Sequence, residues 1–327
     1  MSSPDTGPVD LVVVGDCNPD VLVLGGDVTP AFGQQEKLVG SIGLVVGGSA
    51  AITAVAAARL GLSVALVAAV GADPAGTFML DELTREGVDV SAVVIRENTP
   101  TGMTVALSRG RDRAILTALG TMTSLTAADV PAALLARARH VHVSSYFLLE
   151  DSLGPGLRDL FAAARAGGAT TSLDTNWDPS GRWGDERLAA AISQTDLLLP
   201  NEAEALRLSR AGHLDAAVTA LADGGRRLVV KLGERGVICA AGDRRQRVSL
   251  PAVTPVDTTG AGDCFNAGLL AGLNQGLALP EAAALGCAVG ALSTGALGGT
   301  AAAPDRPTAA RLAKLASVTE DADIAWR

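Results

Sequence analysis

The sequence predicts an α/β fold: a mostly parallel sheet covered by helices on both faces, with a small separate β-sheet as a lid. Three observations carry this expectation. Short apolar runs alternate with Ala-rich or amphipathic stretches of helical length across most of the 327 residues, the pattern of strands buried on both faces and joined by crossover helices. Two regions, 20–46 and 92–119, break that rhythm with β-rich pieces separated by turn residues. Hydrophobic residues make up 48% of the chain but aromatics only 3%, so Ala, Val and Leu must fill the core.

Residues 9–14 form an apolar run that stops at Gly15 and read as the first strand. The Ala-rich segment 49–60 reads as a helix, 64–70 as a strand, and 74–86 as an amphipathic helix ended by Gly87. The alternation resumes with a helix over 127–139, a strand over 140–144 and a helix over 157–166 closed by Gly167 and Gly168. A strand over 170–173, a helix over 185–193 and a strand over 197–199 follow. Helices over 202–209 and 214–222 lead to a strand over 227–232, and helices over 263–275 and 280–293 end the series. In the lid regions, 21–24, 93–96, 103–108 and 114–118 read as strands, with Arg109-Gly110-Arg111-Asp112 as a hairpin turn. No internal repeat or low-complexity linker interrupts the chain, so residues 1–327 are expected to form one domain with the lid segments inserted.

Segments 38–58 and 282–304 carry no charge and are long enough to cross a bilayer. Small residues dominate both and no aromatics flank them, so buried elements are expected rather than membrane spans. With 26 basic and 35 acidic residues the formal charge is −9, which argues against nucleic acid or an anionic membrane as partner. Cys17, Cys239, Cys264 and Cys287 are scattered, so neither disulfides nor a structural zinc is expected, and a cytoplasmic setting fits. The N-terminus shows no basic stretch followed by an apolar one, so no export signal is expected.

The functional signal lies in Val256-Asp257-Thr258-Thr259-Gly260-Ala261-Gly262-Asp263. Glycines at 260 and 262 permit positive φ and close backbone approach, and a helix starting there aims unpaired N–H groups at an anion. A carboxylate beside a bound phosphate has a use if it takes a proton from the attacking group. Asp263 therefore points to phosphoryl transfer to a hydroxyl.

Four other clusters fit. Asn18 and Asp20 follow the first strand, where open α/β sheets bind ligands, and suit vicinal hydroxyls. Gly47 and Gly48 open the Ala-rich helix and let backbone approach a substrate. Asn201 and Glu204, one turn apart after a strand, suit phosphate oxygens and water around Mg²⁺. Lys231, Gly233 and Gly236 lie at a strand end suited to a nucleotide, and Asp174-Thr175-Asn176 offers further polar groups. His140 and His142 share a strand face, but no third ligand stands near to make a metal site.

In this order the motifs resemble the phosphofructokinase-B (ribokinase-like) family of carbohydrate and nucleoside kinases, over nearly the whole chain. The resemblance implies a three-layer α/β/α sandwich with a β lid and transfer of the ATP γ-phosphoryl group with Mg²⁺. It places the catalytic base on Asp263 and the anion hole on Gly260, Ala261 and Gly262. It places substrate contacts on Asn18, Asp20, Gly47 and Gly48, and nucleotide contacts on Asn201, Lys231, Gly233, Gly236, Gly260, Gly262 and Gly298. Asn201 and Glu204 would serve Mg²⁺, and Asp257 would support K⁺. Family members often carry an asparagine where this chain has Ile52, so a sugar contact is missing or a different substrate is favoured.

The expected substrate is a small sugar or sugar derivative. A nucleoside is the alternative, with Ile52 or Phe147 as an apolar wall; a catalytically silent sensor is a further one. No G-x-x-x-x-G-K-[ST] or G-x-G-x-x-G string opens a helix, so P-loop and dinucleotide enzymes are excluded. An exposed lid edge points to a homodimer.

Overall fold

The first strand sets the pattern for the rest. In the computed structural model, which describes residues 7–109 and 112–320, β1 (Leu11–Val14) is buried throughout. Leu11 and Val13 point into one apolar cluster, Val12 and Val14 into another. Then come β2 (Asn18–Leu24), β3 (Ser41–Gly47), α1 (Ser49–Arg59), β4 (Val64–Val67), β5 (Ala69–Gly71), α2 (Pro74–Arg85), β6 (Val94–Arg96), β7 (Met103–Arg109) and β8 (Asp112–Ala118). The middle of the chain forms α3 (Ala132–Leu135), β9 (His140–Val143), α4 (Gly154–Ala166), β10 (Thr170–Leu173), α5 (Glu186–Ile192), β11 (Leu197–Leu198), α6 (Glu202–Ser209) and α7 (Leu214–Leu221). The last third holds β12 (Arg227–Lys231), β13 (Val237–Ala241), β14 (Arg244–Ser249), α8 (Ala261–Asn274), α9 (Leu279–Ser293), α10 (Arg306–Ala313) and β15 (Ser317–Glu320).

Nine strands form one sheet in the order β15-β14-β13-β12-β11-β10-β9-β1-β4. Pairing is parallel from β4 to β12 and antiparallel beyond. Core residues of α1, α2, α8, α9 and α10 cover one face, and those of α3 to α7 the other. This is the expected α/β/α sandwich. The uncharged segment 282–304 contains most of α9, which lies hard against α8. A Cβ on Gly268 would come within 2.8 Å of Gly286 Cα, so small residues serve close helix packing there. Among the described residues no helix is long and apolar enough to cross a membrane.

The lid is a four-stranded sheet, β3-β2-β7-β8. Arg109 pairs with Asp112 across the β7–β8 hairpin; Gly110 and Arg111 of the expected turn lie outside the described residues. Three expectations need correction. The 93–96 strand is not part of the lid, because β6 pairs in parallel with β5 in a separate two-stranded sheet. The run 64–70 is accordingly two strands, β4 in the main sheet and β5 leaving it after Val67. The helix over 127–139 does not form. Pro131 has no N–H and restricts its predecessor, so a capped 3₁₀ turn at Ala127–Asp129 ends before it and the four-residue α3 follows.

Candidate active site

The segment 256–260 is anchored before the helix begins. Asp257 accepts from the Thr259 amide (2.9 Å) and hydroxyl (2.8 Å) through one oxygen and from the Gly298 amide (2.9 Å) through the other. The amides of Val256 and Asp257 both donate to the Thr294 carbonyl. Gly260 then turns left-handed at φ 69°, and α8 starts with no side chain capping it. A Cβ on Gly260 would lie 2.8 Å from Gly299 Cα, whereas one on Gly262 would meet only the Lys231 side chain, Nζ at 3.7 Å. The helix start is uncapped and open above a cation, which suits an anion.

Asp263 occupies the third position of α8 and is 8% exposed. Burial and the Asp174 and Asp16 charges push its carboxyl well above the usual range, against Lys231 and a hydrogen bond from Ser49. One turn on, Asn266 Nδ2 donates to Asp174 Oδ2 at 2.6 Å, and Lys231 Nζ donates to the same oxygen at 2.5 Å. Burial opposes the Asp174 carboxylate, but Lys231 and the two hydrogen bonds outweigh it and hold the group below its usual value. Lys231 is correspondingly held up by Asp174, Glu204 and Asp263 in spite of its burial.

Glu204 completes the cluster. Its carboxylate accepts from the Asn201 amide N–H (2.8 Å) and Nδ2 (2.6 Å), while its own amide donates to Asn201 Oδ1 (2.9 Å). Asn201 and Glu204 are therefore a capping box on α6. Burial, then the Asp174 charge, raises Glu204 to about 7.

Across the cleft stands the lid. Asn18 Nδ2 donates to Asp20 Oδ1 (3.1 Å) and Thr104 Oγ1 (3.3 Å), and the Thr104 and Thr117 hydroxyls are 3.2 Å apart. Asp20, Thr104 and Thr117 are register neighbours on β2, β7 and β8. A Cβ on Gly47 would lie 2.0 Å from the Asp20 carboxylate and one on Gly48 would strike the Asp16 carbonyl at 2.8 Å. The two glycines thus let α1 start beside these polar groups. Asp16 accepts from the Ser49 and Ala50 amides (both 3.0 Å), and Asn176 Nδ2 donates to the Ser49 and Ser145 hydroxyls (2.8 and 2.9 Å).

Several expected site residues take other surroundings. Ile52 is 3% exposed and lies against Gly260 and Gly299, supporting the turn before α8. Lys231 sits inside the carboxylate cluster. A Cβ on Gly236 would come within 2.1 Å of the Val248 carbonyl, so its backbone presses on β14; nothing lies within 4 Å of one on Gly233. Gly298 faces Val45 of the lid. The sequence reading missed Asn266, Thr104, Thr117 and the capping role of Asp16. Asn266 could have been found by its spacing, three residues beyond Asp263 and so on the same helix face.

Sheet, lid and uncapped helix together make an α/β/α sandwich with an open helix start at its polar cluster. The profile of the pfkB family carbohydrate kinases matches residues 9–306, and the chain belongs to that family. It is 31% identical over 304 residues to a fructokinase of Salmonella typhimurium, covering 88% of this chain and 97% of that one. The structure of adenosine kinase from Sinorhizobium meliloti superposes with a TM-score of 0.82 at 25% identity, over 93% of this chain and 99% of that one. Arabidopsis thaliana ribokinase, solved with ribose and ATP, superposes with a TM-score of 0.80 at 24% identity, over 94% and 99%. The protein is a phosphotransferase with an alcohol group as acceptor.

Proposed function

We propose that the enzyme transfers the γ-phosphoryl group of ATP to a hydroxyl of a small sugar or sugar derivative, with Asp263 as general base. The observation that carries this is a buried carboxylate of raised basicity at an uncapped helix start, over a lysine. The acceptor is held by Asn18, Asp20 and the Thr104 and Thr117 hydroxyls, with Gly47 and Gly48 admitting it to the start of α1. As the new P–O bond forms, its O–H proton passes to Asp263 and the bond to ADP breaks. The amides of Gly260, Ala261 and Gly262, with Lys231 behind them, stabilise the charge on the transferred group.

The β12–β13 turn with Gly233 and Gly236, and the loop at Gly298, border the nucleotide. Glu204, whose carboxyl feels the Asp174 charge, and the Asn201 amide oxygen are oxygen donors that would hold Mg²⁺ through water. Bound there, Mg²⁺ would neutralise triphosphate charge. K⁺ beside Asp257 would reinforce the tie between that residue and Gly298.

The outer lid face supports a homodimer. Leu44, Val21, Val105 and Leu116 form one apolar row and Ile42, Val23, Leu107 and Ala114 the next. Ile42 and Leu116 are 66% and 64% exposed, an apolar patch that a second copy would cover.

The likeness to an adenosine kinase supports a second reading, a nucleoside acceptor. Assaying ADP release across a panel of sugars and nucleosides separates the two. Absence of ADP release with any added sugar or nucleoside would refute both and leave a catalytically silent sensor.

A further inference from the structure

Three turns with left-handed backbone converge on one side-chain amide. Gly48 (φ 82°) precedes Ser49 at the start of α1, Ser145 (φ 58°) lies just beyond β9, and Asn176 (φ 56°) just beyond β10. Ser145 carries a Cβ, so its left-handed backbone is held by its surroundings rather than by preference. Asparagine adopts that conformation more readily. Asn176 Nδ2 donates to Ser49 Oγ at 2.8 Å and to Ser145 Oγ at 2.9 Å, while its backbone amide donates to Asp174 Oδ1 at 3.3 Å. Each serine in turn meets a carboxylate: the Ser49 hydroxyl donates to Asp263 and the Ser145 hydroxyl to Asp16. Asp16 also accepts from the Ser49 and Ala50 amides, both at 3.0 Å. Ser145, Asp16 and Asp263 are buried, and Ser49 and Asn176 half-buried. A short network thus ties the ends of β9 and β10 to the start of α1 and, through Ser49, to Asp263 on α8.

The direction of each bond follows from donor chemistry. A carboxylate ready to take a proton is ionised and only accepts, so Ser49 donates to Asp263 and Ser145 to Asp16. Each hydroxyl has one proton, which leaves its oxygen as an acceptor toward Asn176. The side-chain amide has two protons and gives one to each serine. Its nitrogen rather than its oxygen therefore faces them. One amide in this way sets the direction of two hydroxyls.

We propose that Ser49 and Asn176 are positioning residues for phosphoryl transfer: Asn176 holds the Ser49 hydroxyl against one oxygen of Asp263, which turns the other oxygen toward the acceptor hydroxyl. This rests on Asp263 being the base. The terminal torsion of an aspartate is broad, so a carboxylate without such a partner spends less time presenting an oxygen to the acceptor. Misplacing a reacting group in this way slows the chemical step. Neither Ser49 nor Asn176 takes up the proton, and both act through Asp263. Their loss therefore reduces turnover while leaving what the active site binds.

Turnover of the full chain, with the sugar or nucleoside that gives the fastest ADP release, is measured in single variants and again on the Asp263→Asn background. Ser49→Ala removes the hydroxyl. Asn176→Gly removes the side-chain amide and leaves a residue at ease with φ 56°. Each should lower kcat about tenfold, the effect of one hydrogen bond to a charged group. The acceptor KM, and ATP affinity by calorimetry, should change less than about twofold. Ser49→Thr, which keeps the hydroxyl, should recover most of the loss. On the Asp263→Asn background either substitution should change kcat less than about twofold, because the carboxylate they position is gone. The proposal is overturned by an unchanged kcat, by a loss carried in KM alone, by no recovery in Ser49→Thr, or by a tenfold loss that persists on that background. Should Asn176→Gly fail to fold, Ser49→Ala and Ser49→Thr decide the matter. Failure of the base assignment would show differently, as undiminished turnover in Asp263→Asn itself.

Discussion

The two sides of the cleft are built on opposite principles. On the α8 side, Asp263, Asp174, Lys231 and Glu204 are removed from water and set one another's charge. On the lid side, Asn18, Asp20, Thr104 and Thr117 form a hydrogen-bonded ladder in which the Asn18 amide bridges the Asp20 carboxylate and the Thr104 hydroxyl. Under the proposed function, buried charge would tune the proton transfer and the polar ladder would match a polyol. Substitutions on the two sides should therefore fail in different ways, kcat on one and KM on the other.

The largest effect is expected from Lys231→Met. It leaves the Asp174 carboxylate without its cation, held by the Asn266 side chain and the Asn176 amide, and loss of one member of a buried ion pair costs about 3–5 kcal/mol. Urea unfolding would measure it, and an unchanged midpoint would mean that the cluster does not share charge as described. Next comes Asp263→Asn, expected to lower kcat by about 10²-fold or more while ATP binding, measured by calorimetry, is kept. Near-normal turnover would remove Asp263 from the chemistry.

Glu204 sharpens the contrast through pH. Its value near 7 in the fold, against 4.5 as a free side chain, means that the folded state keeps a proton the unfolded chain loses. Stability should fall as pH rises from about 4.5 to about 7 and level off above. Glu204→Gln should flatten much of that fall in unfolding midpoints taken at pH 5 and pH 8. The smallest effect belongs to the lid: Asp20→Ala should raise KM for the acceptor about tenfold, the cost of one charge-assisted hydrogen bond, with kcat little changed. A fall in kcat equal to the rise in KM would show the lid taking part in chemistry.

What could be read in the sequence follows how local each feature is. The geometry around the start of α8 was legible because its glycines, Asp257 and the proposed base Asp263 are contiguous, and a helix start determines where they point. The Asp174–Lys231 pair was not, since its members are 57 residues apart and meet only once parallel register is set. Thr104 and Thr117 come beside Asp20 through strand pairing alone. The antiparallel edge escaped notice because β14 reads Arg-Arg-Gln-Arg-Val-Ser, with no apolar run to announce a strand. Ile52, expected where a sugar contact is missing, also lies against the Gly260 turn and Gly299, a position no linear spacing reveals.

The rate of the first turnover as a function of pH bears most directly on the proton-accepting role of Asp263. In the wild type, phosphoryl transfer to a saturating acceptor should rise with pH through a carboxyl titration displaced well above the ordinary range. That limb should vanish in Asp263→Asn, leaving a slow rate without it. The same limb persisting in the variant would contradict the account and assign the proton to another group.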